Sequence, residues 1–213
     1  MNAASRRMTV AGPSGPLEVL RDEPAPGLAQ PSRGVAVIAH PHPLFGGTMD
    51  NKVVQTLARA FVMCGWSAVR FNFRGVGASA GSYDEGRGEL DDMLSVVAAC
   101  APEGPLALAG FSFGAFVASA AVARLQPERG VGPVVLVGAA TGRFSVPVLP
   151  VETLARTLVI HGERDDTVPL ADVMDWARPQ NLPITVIPGA SHFFHGQLGV
   201  LRSLVAHHLQ VPA

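Results

Sequence analysis

A serine, an acidic pair and a histidine each follow an apolar segment of the chain. Ser112 lies in GFSFGA, residues 110–115, directly after the run LALA. Asp165 and Asp166 come soon after TLVIHG, and His192 comes soon after ITVIPG. A serine can attack an acyl carbon when a histidine removes its proton and an acid orients that histidine. The order serine, acid, histidine therefore predicts nucleophilic acyl transfer.

Two glycines frame the serine in the pattern G-x-S-x-G. Gly110 and Gly114 lack the Cβ atoms that would collide at a sharp turn from a strand into a helix. Such a nucleophile elbow would hold the serine in strained backbone geometry, beside the free N–H groups that begin the helix. The pattern predicts that Ser112 is a nucleophile. The alternative is a serine that only caps a helix.

Residues 104–123 carry no charge, and their number would suffice for a membrane span. The segment contains a proline and internal glycines, however, and its pattern changes from strand-like in LALAGF to helix-like in FGAFVASAAVARL. A buried strand, turn and helix at the centre of a domain explain the missing charges equally well. We therefore predict no membrane partner.

The remaining periodicity predicts the elements that position these residues. RRMTV and PLEVL flank AGPSG and indicate an antiparallel hairpin. Further along, strands alternate with helices, which favours an α/β fold with a mainly parallel sheet and helices on both faces. Function gathers at the carboxyl ends of such strands, so the serine, acid and histidine should converge. The predicted strands are 34–40, 66–73, 106–111, 132–138, 157–162 and 182–189, and the predicted helices are 49–65, 88–101, 113–125, 169–178 and 195–210.

Five motifs make the chain resemble the α/β-hydrolase superfamily over nearly its whole length. They are HPHPLFGGTMDNKVV (40–54), FNFRGVGASAG (71–81), GFSFGA (110–115), HGERDDTVP (161–169) and SHFFHG (191–196). The chain is most similar to a small, lidless bacterial branch related to dienelactone hydrolases and carboxylesterases. The resemblance implies one domain over residues 1–213, with about seven or eight strands and no substantial cap. It also implies that Asp165 is the acid, because the superfamily pattern G-x-x-D-x-x-V-P matches residues 162–169.

An oxyanion hole for acyl transfer needs two backbone N–H groups. Phe113, the residue after the nucleophile, supplies one, and the loop after the strand at 34–40 supplies the other. Pro41 and Pro43 in that loop have no N–H to donate. The remaining candidates are His42, Leu44 and Phe45. We predict Leu44, because the two prolines stiffen the chain that leads to it.

Three side chains are predicted to contact the substrate: Phe45, Phe111 and Arg74. Arg74 follows the strand at 66–73 and could meet an anionic group of the substrate. Alternatively it forms an ion pair that holds two loops together.

Further histidines near the predicted site have other interpretations. His40 and His42 form an H-x-H pair, but no further ligand follows closely. We therefore predict neither a metal nor another cofactor, and expect His40 to be buried and bonded to the backbone. His195 could replace His192 as the base, although its place at the beginning of the last predicted helix favours a structural or substrate-facing role.

The composition excludes several classes of partner. The net charge is −1 and no basic stripe is present, which argues against nucleic acid and anionic membrane surfaces. Two cysteines and an N-terminus without an apolar run predict reduced thiols in a cytoplasmic protein. The sequence leaves the oligomeric state open between a monomer and a homodimer. Only about 20 residues separate the strands at 132–138 and 157–162, so the site should be open.

These features predict a serine hydrolase that cleaves carboxylic esters or thioesters of small molecules. The acyl group would be short, or presented on a carrier, because little covers the site. Two alternatives stay open. A serine peptidase or acyltransferase could use the same three residues, and a catalytically silent protein could use the pocket for binding alone.

Overall fold

An eight-stranded sheet forms the centre of the computed structural model, which describes residues 5–25 and 32–210. Its strands are β1 (Ser5–Gly12), β2 (Gly15–Asp22), β3 (Val35–Ala39), β4 (Ser67–Phe71), β5 (Leu106–Phe111), β6 (Val134–Val137), β7 (Thr157–Gly162) and β8 (Ile184–Ile187). They lie in the order β1-β2-β4-β3-β5-β6-β7-β8. The β1–β2 and β2–β4 pairs are antiparallel, and the other pairs are parallel. The predicted hairpin and mainly parallel sheet are confirmed.

Helices cover both faces of the sheet, as predicted. They are α1 (Lys52–Met63), α2 (Arg87–Cys100), α3 (Phe113–Arg129), α4 (Val151–Leu154), α5 (Leu170–Ala177) and α6 (Leu198–Gln210). Helices α1 and α6 pack on the face that receives Ala36 and Ile38 of β3, whereas α2, α3 and α5 pack where Val37 and Ala39 point. Successive side chains of a strand point to opposite faces, so a strand covered on both sides is apolar throughout.

The uncharged segment 104–123 lies at the centre of this fold. Every residue of β5 is buried between β3 and β6, and α3 contributes many of its side chains to the core. Burial within the protein therefore accounts for the missing charges. Over the residues that the structure describes, no helix is both long and apolar enough to cross a membrane. Cys64 and Cys100 are both free thiols.

Three helix boundaries differ from the prediction by three residues or more, and the first is that α1 begins at Lys52 instead of residue 49. Helix α3 continues past residue 125, through Pro127, and ends before Gly130, which has a φ of 65°. Helix α6 begins at Leu198 instead of residue 195. The reason is that Phe194 and Gly196 have φ values of 51° and 75°, so the chain turns through left-handed conformations before the helix can begin.

The segment 138–156 joins β6 to β7 and contains only the single turn of α4. Superfamily members with a lid usually carry it at this point, and here the connection is too short to form one. The predicted absence of a cap is confirmed.

Candidate active site

Ser112 lies at the turn between β5 and α3. Its backbone has φ 57° and ψ −117°, a conformation that L-residues rarely adopt, and its N–H donates to the Val137 carbonyl at 2.8 Å. Both neighbouring glycines are required by close backbone contacts. A Cβ atom on Gly110 would lie 2.1 Å from the Gly114 oxygen, and one on Gly114 would lie 2.3 Å from the Ala39 oxygen. The sharp turn from a strand into a helix, which the glycine pattern predicted, is present at Ser112.

His192 lies in the loop after β8, and its ring reaches the Ser112 hydroxyl. The distance from His192 Nε2 to Ser112 Oγ is 3.0 Å, and the ring is buried. The opposite nitrogen, Nδ1, lies 2.7 Å from Asp165 Oδ2. An ionised carboxylate can only accept, so Nδ1 carries the ring proton and Nε2 accepts from the serine. The ring packs against Phe111, with 4.9 Å between centroids.

Asp165 is held by the turn that follows β7. Its Oδ1 accepts from the N–H groups of Thr167 at 3.0 Å and Val168 at 2.8 Å. Burial alone would raise the pKa of this carboxyl, but the hydrogen bonds from the His192 ring and the Val168 amide outweigh burial and lower it. Asp165 is therefore ionised at neutral pH. The neighbouring Asp166 is exposed and makes no contact with His192.

His161 stands behind Asp165 and was not singled out from the sequence. Its ring is fully buried, Nε2 lies 2.9 Å from the Val168 carbonyl, and the same nitrogen lies 3.6 Å from Asp165 Oδ2. A carbonyl only accepts, so Nε2 carries the proton. Burial lowers the pKa of His161 and keeps the ring neutral. The signal in the sequence was a histidine four residues before the acid, at the end of an apolar strand.

The prediction of Leu44 as an oxyanion donor is wrong. Residues Pro43–Phe45 form one 3-10 turn, and the Leu44 N–H already donates to His42 Nδ1 at 3.2 Å. The Leu44 side chain is 66 % exposed and does not line the pocket beside Ser112. The Phe45 N–H is likewise used, donating to the His42 carbonyl at 3.1 Å. The His42 N–H donates to no acceptor in the described part of the chain.

Two of the three predicted substrate contacts are also wrong. Phe111 is fully buried behind the His192 ring and supports it from the core. Arg74 is buried in an ion pair with Asp92: its Nε and Nη2 donate to the two carboxylate oxygens at 3.0 and 2.8 Å. The alternative role of Arg74, an ion pair between two segments, is what the structure shows. Phe45 does line the pocket, and its side chain is 78 % exposed.

The pocket that Ser112 opens into has a volume of about 330 Å³. Four phenylalanines and two histidines form part of its wall. The sequence did not predict Phe144, Phe193 or Arg143, which is the only charged side chain that lines the pocket among the described residues. Arg143 and Phe144 lie in the segment 138–156. The composition of this segment does not predict its conformation. The residues that line the pocket are Pro41, His42, Phe45, Gly46, Gly47, Asn51, Ser112, Phe113, Ala140, Arg143, Phe144, Thr167, Val168, His192 and Phe193.

His40 is buried at the end of β3 with both ring nitrogens engaged. Its Nδ1 lies 2.6 Å from the Pro41 carbonyl, and its Nε2 accepts from the Phe73 N–H at 3.0 Å. Burial lowers the pKa of His40 to about 4. The expectation of a buried, backbone-bonded histidine is confirmed. His195, by contrast, is exposed and lies outside the pocket.

Comparison with known proteins identifies the family of the chain. A family model described as serine aminopeptidase, S33, matches residues 30–158. A protein of Rickettsia prowazekii (strain Madrid E), described as uncharacterized, is 34% identical over an alignment of 187 residues, and the match covers 77% of this chain and 73% of that protein.

Two solved structures are similar over almost the whole chain. A Xanthomonas campestris protein, described as an α/β serine hydrolase without a lid, is 39% identical with a TM-score of 0.87, covering 100% of this chain and 98% of that one. A Coxiella burnetii α/β serine hydrolase homologue is 37% identical with a TM-score of 0.82, covering 96% and 97%. The fold, the family model and these likenesses agree: the chain belongs to the small lidless branch of the α/β-hydrolase superfamily and is a serine hydrolase by family.

Proposed function

We propose that this serine hydrolase cleaves carboxylic esters or thioesters through an acyl-enzyme on Ser112. One observation carries the proposal: two hydrogen bonds link Ser112 Oγ to His192 Nε2 and His192 Nδ1 to Asp165 Oδ2. The strained backbone of Ser112 supports it as well, because strain of this kind gathers at functional residues.

In the acylation step the Ser112 oxygen attacks the carbonyl carbon of the substrate. His192 Nε2 takes the hydroxyl proton as the new C–O bond forms, and Asp165 stabilises the imidazolium. The tetrahedral intermediate then collapses. The bond to the leaving alcohol or thiol breaks, and that group receives the proton from Nε2.

Two N–H groups face the charge that develops on the carbonyl oxygen. The Phe113 N–H is the first of helix α3 and has no acceptor within the helix. We assign the second to His42, since the other N–H groups considered in its loop are used locally. Removal of one such donor in a hydrolase typically costs a factor of about 10² to 10³ in kcat.

Deacylation repeats the same steps with water as the nucleophile. His192 removes a proton from water, which attacks the acyl carbon, and the serine leaves with the returned proton. The segment 138–156 lines one side of the pocket through Arg143 and Phe144 and forms no lid over it, so water can enter the pocket and reach the acyl-enzyme. Open access favours hydrolysis over transfer to another acceptor, which requires that water be excluded.

The pocket favours a small substrate. Its volume of about 330 Å³ is at the lower end of the range for ligand sites, roughly 300–1,000 Å³. The aromatic wall suits the apolar part of a short acyl or alcohol group.

A peptidase is the second candidate, because the matching family model is described as a serine aminopeptidase. An aminopeptidase must recognise the positive amino terminus of its substrate, for which a carboxylate is the natural partner. No carboxylate lines the pocket within the described ranges, and Arg143 would repel a cation. These charges favour the ester or thioester.

The proposal is tested with a fluorophosphonate probe and a panel of esters. We expect the probe to label Ser112, and the protein to hydrolyse p-nitrophenyl acetate and butyrate and short acyl thioesters. Ser112→Ala should abolish labelling and turnover. Ser119→Ala, a serine in the same helix that bonds only the Ala115 carbonyl, is the matched control and should retain both.

Two outcomes would overturn the proposal. The first is a native protein that neither reacts with the probe nor cleaves any ester or thioester. The second is faster cleavage of amino-acyl p-nitroanilides than of the esters, which would identify a peptidase.

A further inference from the structure

The proposed chemistry uses the backbone N–H of His42 but gives no task to its imidazole. That ring lines the pocket and packs against the rings of Phe45, Tyr83 and Phe113. Its hydrogen bonds and its packing both bear on where the His42 N–H is held.

His42 is the acceptor for most of the turn that follows it. Its Nδ1 accepts from the Leu44 N–H at 3.2 Å, and its carbonyl accepts from Phe45 and Gly47 at 3.1 and 3.0 Å. Pro43 has no N–H, so three donors of the turn converge on this one residue. The ring therefore caps the 3-10 turn and fixes the backbone from which the His42 N–H projects.

The ring also connects this loop to helix α3. Its centroid lies 5.0 Å from that of Phe113, the residue that supplies the other proposed N–H, and 4.7 and 4.8 Å from Phe45 and Tyr83. Phe144 lies on a further side at 5.9 Å. Packed rings have few ways to move, so the contact sets the spacing between the two residues that carry the oxyanion donors.

The cap works only while the ring is neutral. With Nδ1 as the acceptor, the single ring proton is on Nε2, and a second proton on Nδ1 would point at the Leu44 N–H. Burial, followed by the positive charge of Arg143, lowers the pKa of His42 below its usual value of 6.5. The other titratable groups that face the ring are Tyr83, whose pKa burial raises, and His192 across the pocket.

We propose that the imidazole of His42 is a positioning group for the oxyanion hole. By accepting the Leu44 N–H while packed on Phe113, it holds the His42 N–H at the distance from the Phe113 N–H that one oxyanion can bridge. The proposal rests on the proposed function, since it concerns the same hole. It adds that side-chain protonation of His42 disables the hole independently of His192.

Two variants separate the hydrogen bond from the packing. His42→Phe keeps an aromatic ring but cannot accept the Leu44 N–H. His42→Asn loses the ring but supplies an oxygen, and asparagine commonly accepts the N–H two residues ahead in such turns. We expect His42→Phe to lower kcat by about 100-fold or more with KM within about threefold, and His42→Asn to recover kcat to within about tenfold of the native value. His207→Phe and His207→Asn, at an exposed position on α6, are the matched controls.

The acid side of the pH profile gives a readout that does not depend on the His42→Phe variant being folded. In the native protein, protonation of His42 removes the acceptor for the Leu44 N–H, which adds one protonation step to the acid limb of log(kcat/KM). His42→Asn lacks that step, so the limiting slope of its acid limb should be smaller than the native slope by about one. Equal slopes would overturn the proposal, as would native kcat in folded His42→Phe or a His42→Asn variant as slow as His42→Phe.

The two proposals fail in different ways. If the native protein turns over esters and Ser112→Ala does not, the proposed function stands, and the His42 variants decide the inference alone. If the native protein has no such activity, both fall together.

Discussion

A few hydrogen bonds decide the ionisation state of Asp165. Its carboxylate receives two backbone N–H groups on one oxygen and the His192 ring on the other. Because the pKa of Asp165 is below its usual value of 3.8, the carboxylate stays ionised until the pH falls through that lowered value. We therefore expect that any loss of the proposed activity at mildly acidic pH does not arise from protonation of this carboxyl.

Two adjacent aspartates, Asp165 and Asp166, should differ in their effect on catalysis, because only Asp165 bonds to His192. Asp165→Asn should lower kcat by about 10⁴-fold, because an amide stabilises the wrong ring tautomer of His192. Asp166→Asn removes the same charge one residue later from an exposed side chain and should change kcat less than about twofold. Steady-state kinetics on p-nitrophenyl butyrate compares the two. A larger loss in Asp166→Asn would contradict the assignment.

The sequence predicted some residues of the site better than others, for physical reasons. Ser112, Asp165 and His192 follow the ends of β5, β7 and β8, so their convergence could be predicted from strand order and the paired glycines. The fate of the Leu44 N–H could not, because it depends on a side-chain rotamer of His42. Arg74 was ambiguous because its partner, Asp92, lies 18 residues further along in a helix.

At the scale of elements, Arg74 ties the chain after β4 to helix α2. Its side chain forms a two-pronged ion pair with Asp92, and its backbone N–H also donates to Asp92 Oδ2 at 3.0 Å. The side-chain hydrogen bond to Asp92 raises the pKa of Arg74, so the guanidinium stays charged. A Cβ atom on Gly88 would lie 1.9 Å from Arg74 Nη1, so the helix also needs a glycine beside the guanidinium.

We predict that this ion pair contributes to stability and not to substrate selection. Asp92→Leu leaves a buried unpaired guanidinium and should lower the free energy of unfolding by about 3–5 kcal/mol. The double variant Arg74→Met, Asp92→Leu should recover much of that loss, because both charges are gone. Arg124→Met, which breaks an exposed helical pair with Glu128, should cost less than about 1 kcal/mol.

Urea denaturation measures these differences in the free energy of unfolding. Ester kinetics tests whether Arg74 also contributes to substrate selection. In the double variant, KM for neutral and for negatively charged esters should change by the same factor. A rise in KM for the negatively charged esters alone would contradict this prediction, because it would indicate that Arg74 contacts the substrate.

The sequence patterns predicted the bounds of some helices and strands better than those of others. Strands β3, β5 and β7 matched the predicted runs closely because strands covered on both faces are uniformly apolar. The beginning of α6 was missed because nothing in FFHGQ reveals that Phe194 takes a positive φ. A bulky residue rarely does so, and here its ring is fully buried in the core, which fixes the turn.

At the scale of the molecule, several histidines are buried in the neutral state. Burial lowers the pKa of His40, His42, His161 and His208, and lowers that of His40 to about 4. In the unfolded chain these rings regain ordinary values near 6.5. Between pH 6.5 and 4 the unfolded chain therefore binds protons that the folded protein does not, and stability must fall as the pH falls.

We predict that the free energy of unfolding decreases at acidic pH and that His40 makes the largest single contribution to this decrease. The gap between its pKa of about 4 and 6.5 corresponds to about 3 kcal/mol of unfolding free energy, lost progressively between those pH values. Urea denaturation from pH 7.5 to 4.5 should show this decline. His40→Gln should be less stable at pH 7.5 but show a shallower decline, whereas His207→Gln, at an exposed position, should keep the native slope. Parallel declines in His40→Gln and the native protein would refute the assignment.

The short segment 138–156 has a kinetic consequence. Enzymes that close a lid over the substrate must open it again in each cycle, and that motion often limits turnover. Within the described residues no lid is present, so the proposed mechanism includes no closing step before Ser112 reacts and no opening step before the product leaves. We therefore expect entry and exit to be set by diffusion and by the contacts of the pocket, and the making and breaking of the acyl bond to be the slow events of the cycle.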